Sequence, residues 1–332
     1  MCPLVSIQVQ QESPMKRRNF LTATMGAGLA HVGTSFAQTY PSRTIELVVA
    51  YSAGGGTDIA GRALARFMSS RLGGQIIVVN KPGAGGEIGF AQIANARPDG
   101  HTIGFINTPN VLTIPIERKA QYTMDKFAPI ANVIDDPGGI FVAANSPIRN
   151  VADLIARARA QPGRLTYATT GVGTGTHLVM LELERVANIK MTAVPYAGTA
   201  PIRLALMRGE VDIAPLNMGE GMPDARQGTF HPIGQTSIKR WEGAPNVPTF
   251  REQNIDFVQG TLRGLVAPAG TPDAILKKLS EAVRDSMQDP EFQKFAHDQL
   301  LALRYLGPKE FADELATRTA ALQELWRRAP WR

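Results

Sequence analysis

The chain of 332 residues is 19% charged and 44% hydrophobic, with 35 Lys and Arg against 29 Asp and Glu and a single cysteine. This is a globular composition: it excludes collagen-like and wholly disordered chains, and Cys2 alone excludes a disulfide scaffold and any Cys-x-x-Cys zinc or redox motif. The net charge of +6 is spread along the chain, which argues against a nucleic-acid-binding stripe, and the length predicts two domains at about 100–200 residues each.

The first informative segment is Met15-Lys-Arg-Arg-Asn-Phe-Leu-Thr, followed by a mildly apolar run to Phe36. A basic region, a short apolar region and small residues at Ser35-Phe36-Ala37 form an export signal, so residues 1–37 are assigned to one, with the start at Met15. Arg17-Arg18-x-Phe20-Leu21 resembles a twin-arginine motif, and the general secretory route stays open. Beyond Ala37 no uninterrupted apolar stretch approaches the roughly 20 residues a membrane-spanning helix needs. The mature chain is expected to be soluble and, in a Gram-negative host, periplasmic. Its lack of cysteine suits that oxidising compartment.

Ile45–Tyr51 is a β-branched apolar run that empties into Ser52-Ala53-Gly54-Gly55-Gly56. The apolar period then lengthens. Ile59, Ala63, Leu64, Phe67, Met68 and Leu72 share one helical face, closed by Gly73-Gly74. Strands follow at Ile76–Val79 and Thr102–Ile106, with a short helix at Gly89–Ala96 between them. This alternation predicts an α/β domain with a largely parallel sheet.

A second series opens with a strand at Ile140–Ala144. Asn150, with Asp153 three residues on, marks the start of a helix that ends at Pro162-Gly163. The strand Leu165–Ala168 runs into Thr169-Thr-Gly-Val-Gly-Thr-Gly-Thr176, and His177–Ala187 reads as helix. Strands at Thr192–Val194, Val211–Pro215 and Leu262–Ala267 and a helix at Ile202–Arg208 complete the pattern. The tail is helical, with Trp326 on its apolar stripe.

Each series therefore has a strand that ends in a glycine-rich loop and a helix start. Such a start offers free N–H groups and roughly half a positive charge, and glycine lets a ligand approach the backbone. In open sheets ligands bind beyond the carboxyl ends of the strands, so two such ends facing each other predict a cleft. Neither loop contains Lys or Arg, so an anion there is expected to be held mainly by dipoles and hydroxyls. Nucleotide motifs are absent: no Lys follows a Gly, and Gly171-Val-Gly173-Thr-Gly175 lacks the dinucleotide spacing. No paired-histidine zinc motif and no Gly-x-Ser-x-Gly elbow occurs, so neither metal nor cofactor is expected. Asp58 reads as a helix cap paired with Arg62 four residues on, with a general base as its alternative, and His177 as either a ligand contact or a loop tie; an enzyme would use one of these two.

Tyr51-Ser-Ala-Gly-Gly-Gly-Thr-Asp58 with Arg62, Val78-Val-Asn-Lys-Pro-Gly-Ala-Gly-Gly86 and Arg97-Pro-Asp-Gly100 resemble the Bug family, the periplasmic receptors of tripartite tricarboxylate transporters. Thr170-Gly-Val-Gly-Thr174 with His177, Val194-Pro-Tyr-Ala-Gly198 and Ala267-Pro-Ala-Gly-Thr-Pro272 extend the resemblance over almost the whole mature chain. It implies a type II periplasmic-binding fold, two α/β lobes joined by a hinge of two crossing strands. The lobes are expected at 38–139 plus 263–332 and at 140–262. Ligand-binding positions carried over are Tyr51, Ser52, Ala53, Gly54, Thr57, Asp58, Thr170, Gly171, Thr174, His177, Tyr196, Ala197, Gly198 and Asn217. Two departures stand out. Gly61 replaces the family's usual alanine, and Leu262 replaces a frequent tryptophan that could border the cleft.

The expected function is capture of a small organic carboxylate by a monomeric, non-enzymatic receptor. It would hand its cargo to the large and small integral-membrane permease subunits. The alternatives are an exported α/β enzyme acting on a small carboxylate, and a ligand-sensing receptor that partners a membrane sensor.

Overall fold

The computed structural model describes residues 40–331, so the export signal assigned to residues 1–37 lies outside the described residues. In chain order the elements are β1 (Ile45–Val49), α1 (Gly56–Leu72), β2 (Ile76–Asn80), α2 (Glu87–Ala94), β3 (Thr102–Asn107), α3 (Asn110–Glu117) and β4 (Phe127–Ala143). Then come α4 (Val151–Ala160), β5 (Thr166–Thr169), α5 (Gly175–Ala187), β6 (Thr192–Pro195), α6 (Thr199–Met207), β7 (Ala214–Asn217), α7 (Met218–Arg226) and β8 (Phe230–Gln235). The chain closes with β9 (Gly260–Pro268), α8 (Asp273–Met287), α9 (Pro290–Asp298), β10 (Leu303–Leu306) and α10 (Pro308–Arg328).

Local sequence explains these boundaries. Helix α1 buries Ala63, Leu64, Phe67, Met68 and Leu72 and stops at Gly73, whose left-handed backbone (φ 67°) sends its N–H back to the Ser69 carbonyl. At α4 the Asn150 side chain accepts the Asp153 N–H at 2.8 Å, a cap worth about 1 kcal/mol.

The first sheet runs β10-β4-β9-β3-β1-β2. Strands β2, β1 and β3 are parallel, whereas β9 is antiparallel to β3 and to β4, and β10 is antiparallel to β4. The sheet is thus mixed rather than largely parallel, because the chain returns through β9 and β10 after an excursion into the second lobe. Strand β4 is longer than the expected strand at 140–144. Its first part pairs with β9 and β10, and its second part with β7 and β8. Pro129 sits at a register shift, where a missing donor is tolerated, and Pro137-Gly138-Gly139 interrupts the apolar pattern mid-strand.

Strands β4 and β9 are the two crossing connections between lobes, paired up to Pro137 and Gly260. Each lobe has apolar packing on both faces of its sheet. In the first, α1, α8 and α9 cover one side, and α2, α3 and α10 the other. In the second, α4 and α5 pack opposite α6 and α7. The protein is a two-lobed α/β molecule of the type II periplasmic-binding class. No helix of the described residues is long and apolar enough to cross a membrane.

Candidate ligand cleft

A polar cavity of about 60 Å³ lies where the strand ends of both lobes converge, large enough for a few waters. Five helices begin on it: α1 at Gly56, α3 at Asn110, α5 at Gly175 and Thr176, α6 at Thr199, and α7 behind its cap residue Asn217. The residues before α1 and α5 make no side-chain cap, so, apart from the Gly175 N–H that Asn110 Oδ1 accepts, their first N–H groups and positive dipole ends lie at the cavity. This convergence follows from the fold, because each strand here runs toward the cleft and the chain turns back as a helix.

Of the residues carried over from the family, Tyr51, Ser52, Thr57, Thr170 and Asn217 line this cavity. Burial pushes the Tyr51 hydroxyl well above its usual range, so it stays neutral and accepts the Asn110 amide at 2.8 Å. The others stand just behind. The Asp58 carboxylate accepts the Gly54 N–H at 2.9 Å and the Asn80 amide, and pairs with Arg62 at 2.9 Å. Burial alone would raise that carboxyl, but these bonds outweigh it and hold it below its usual value. Asp58 therefore shapes the first loop, and Ala53 and Gly54 are exposed on its outer side.

In the second loop Thr174 is buried and donates to the Gly171 carbonyl at 2.6 Å, while His177 Nδ1 accepts the Gly173 N–H at 3.1 Å. His177 is thus the loop tie of the two sequence readings. Half-buried Tyr196 packs on the second lobe's core. Ala197 and Gly198 meet the first lobe at Ser52, whose hydroxyl donates to the Ala197 carbonyl at 3.1 Å. Gly175 N–H to Asn110 Oδ1 at 3.2 Å and Thr113 hydroxyl to Gly173 carbonyl at 2.7 Å also join the lobes. The cleft is closed.

Sequence reasoning missed Asn107, Thr108, Asn110, Thr199, Glu220, Thr261 and Arg263, all of which line the cavity. Neither glycine loop supplies a cation, but Arg263 brings one to the cavity from another element. It stands on β9, 1% exposed, and its Nη2 donates to Glu220 at 2.9 Å and to Asp136 at 3.2 Å. Burial, reinforced by Glu220 and Asp135, pushes the Asp136 carboxyl up to about 7 against the pull of Arg263. The neighbouring Leu262 is fully buried in the first lobe's core and does not line the cavity. Gly61 packs against β1, where a Cβ would lie 3.3 Å from the Val49 side chain. The apolar tail residue Trp326 is only half-buried and packs on Trp331.

A larger cavity of about 470 Å³ lies on another face, between α5 and α10, lined by Leu178, Leu181, Leu322, Leu325 and Trp331. Its two arginines are already engaged. Arg185 pairs with Glu182, and Arg318 with Glu314 and the Gly260 carbonyl. Pro109, the residue before α3, borders it, but its lining is mainly apolar, and the smaller polar cavity where several helices begin is the candidate site.

Residues 60–318 match the model of the tripartite tricarboxylate transporter family receptor. The chain is 34% identical over 306 residues to a UPF0065 protein from the gbd 5' region of Cupriavidus necator, covering 90% of this chain and 93% of the relative. Among solved structures it is similar to the periplasmic binding protein BugD, with a TM-score of 0.83 and 30% identity over 88% of this chain and 99% of that one. It is also similar to MatC of Rhodopseudomonas palustris with bound malate, with a TM-score of 0.81 and 27% identity over 86% of this chain and 99% of that one. The chain belongs to the tripartite tricarboxylate transporter receptor family.

Proposed function

We propose that the protein is a periplasmic solute receptor that captures a small organic carboxylate in the cleft between its lobes and delivers it to a membrane permease. The observation that carries this reading is the convergence on one polar cavity of the starts of α1 and α5, one from each lobe, beside a buried arginine. The MatC structure with malate supports the ligand class. The division into lobes at 38–139 plus 263–332 and at 140–262, the export signal and the two-subunit permease partner belong to the same proposal.

Amides at the start of α1 and of α5 each stabilise negative charge, and only a ligand that reaches both gains from both. Such a ligand favours the closed arrangement by its differential affinity for it. Between them, Asn107, Thr57, Thr176 and Thr261 offer hydroxyl and amide groups that orient the solute. No bond of the solute needs to change. Asp58 and His177, the candidate catalytic groups, are occupied in shaping the two loops.

The experiment is a thermal-shift screen of the purified protein against small carboxylates, with the ligand recovered afterwards by mass spectrometry. A raised Tm with the acid recovered unchanged supports the reading. Conversion of the acid would establish the enzyme instead, and no response to any carboxylate would remove the receptor assignment.

A further inference from the structure

Where β4 and β9 cross between the lobes they bury one cation with two carboxylates. Asp136 of β4 and Arg263 of β9 are each 1% exposed, and Arg263 Nη2 donates to Asp136 at 3.2 Å and to Glu220, in the first turn of α7, at 2.9 Å. The remaining carboxylate oxygens are held as well. Asp136 Oδ1 accepts the Gly219 N–H at 3.0 Å, and Glu220 Oε2 accepts the Thr199 hydroxyl at 3.2 Å and the Asn217 amide at 3.3 Å. The charged groups around the cluster do not rebalance it. Asp135 is taken by Arg304 of β10 and Arg318 of α10, Arg203 of α6 by Asp224, and burial keeps the Tyr51 hydroxyl neutral. With both acids ionised the cluster therefore carries one excess negative charge.

Arg263 also has donors to spare on its cavity side. Its Nε and Nη1 have no hydrogen-bond partner, and Nη1 lies against the start of α1, where a Cβ on Gly56 would be 2.5 Å from it. A solute carboxylate at that helix start becomes the third anion on one guanidinium, in a poorly solvated place where uncompensated charge is costly. A proton offsets it. Burial already pushes the Asp136 carboxyl up to about 7, with Glu220 and Asp135 adding to the rise, so near neutrality a proton is added there at little cost. We propose that capture of a carboxylate is coupled to the uptake of a proton from bulk water by Asp136, which stands behind Arg263 and acts on the solute through it. Asp136 is thus a positioning residue, not a ligand contact. The inference rests on the carboxylate reading and adds its regulation: above about pH 7 binding has to bring the proton in, so affinity falls as the pH rises, whereas at lower pH the proton is already in place.

The test is titration calorimetry with malate, succinate, glutarate, adipate and benzoate between pH 6.5 and pH 9, repeated at pH 7.5 in two buffers of different ionisation enthalpy. His177, held below its usual value by burial, is largely neutral over this range. For an acid that binds, the affinity should fall about tenfold from pH 6.5 to pH 9, and the two buffers should report uptake of about half a proton at pH 7.5. Asp136→Asn keeps an acceptor for the Gly219 N–H and cannot titrate, so it should hold the affinity level across the range and take up no proton. If that variant does not fold, carbon NMR of the wild type labelled at its aspartate carboxyls decides: one aspartate should titrate near neutrality and shift to higher pH when the acid is added. Binding without pH dependence or proton uptake, a pH dependence unchanged in Asp136→Asn, or no such aspartate in the spectrum overturns the coupling and leaves the carboxylate receptor intact. Failure of every acid in the set to bind overturns both.

Discussion

Asn110 and Gly175 are joined across the cleft: the Gly175 N–H at the start of α5 donates to Asn110 Oδ1 at 3.2 Å. The same side chain gives its amide N–H groups to the Tyr51 hydroxyl at 2.8 Å and the Gly85 carbonyl at 3.1 Å. One buried residue thus ties the second lobe's helix start to two loops of the first. Asn110→Ala removes the tie and leaves the Gly175 N–H dependent on water, which disfavours the closed form. Titration calorimetry should show affinity lowered about tenfold, the equivalent of one net hydrogen bond. Unchanged affinity would mean that this contact does not contribute to closure.

Gly56 offers a way to fill the site from the backbone of α1. Its added Cβ would collide with Arg263 Nη1 and Glu220 Oε1, yet its place in the first turn of α1 favours alanine by up to about 1 kcal/mol. Gly56→Ala should abolish binding and, because the clash falls on the buried Arg263 and its partner Glu220 and outweighs that preference, lower the Tm by several degrees. Binding that survives would place the ligand elsewhere in the cleft.

Gly173 has φ 70°, and its Cβ position lies 2.8 Å from Trp331 Nε1. Gly173→Ala combines left-handed strain of about 1–2 kcal/mol with that clash. The expected result is a Tm lowered by several degrees in a thermal melt. A Tm equal to wild type would show that the tail packs differently around Trp331.

His177 sets a pH dependence. Burial holds its imidazole below its usual value, only partly opposed by Glu117, and its Nδ1 must be unprotonated to accept the Gly173 N–H. The native state therefore resists protonation more than the unfolded chain does. The stability that neutral His177 supports is complete above the unfolded value of about 6.5 and drains away as the pH falls below it. His177→Asn keeps an acceptor and removes the titration. Between pH 7.5 and pH 5 the wild-type Tm should fall relative to this variant. A constant difference would contradict the assignment of His177 as a neutral loop tie.

The fold was legible where one rule dominated. Helix α1 announced itself by its apolar period and Gly73, and α4 by Asn150. Strand β4 did not, because Pro129, Pro137 and Gly138-Gly139 break the pattern that marks a strand, while pairing on both edges holds it. The loops that hold Tyr51, Ser52, Thr57 and Thr170 were readable from glycine spacing. Arg263, Glu220 and Asn107 were not. Arg263 and Glu220 are 43 positions apart, and their meeting at Gly56 depends on how β9 crosses between lobes. The one visible signal was an arginine inside the apolar run Leu262–Ala267, which requires a buried partner.

The most direct measurement is a crystal structure of the protein with a carboxylate that raises its Tm. Carboxylate oxygens within hydrogen-bonding distance of the backbone amides that begin α1 and α5, with both lobes in contact with the molecule, are the expected result. A ligand seated instead in the apolar cavity between α5 and α10, with the polar cleft filled only by water, would contradict the account.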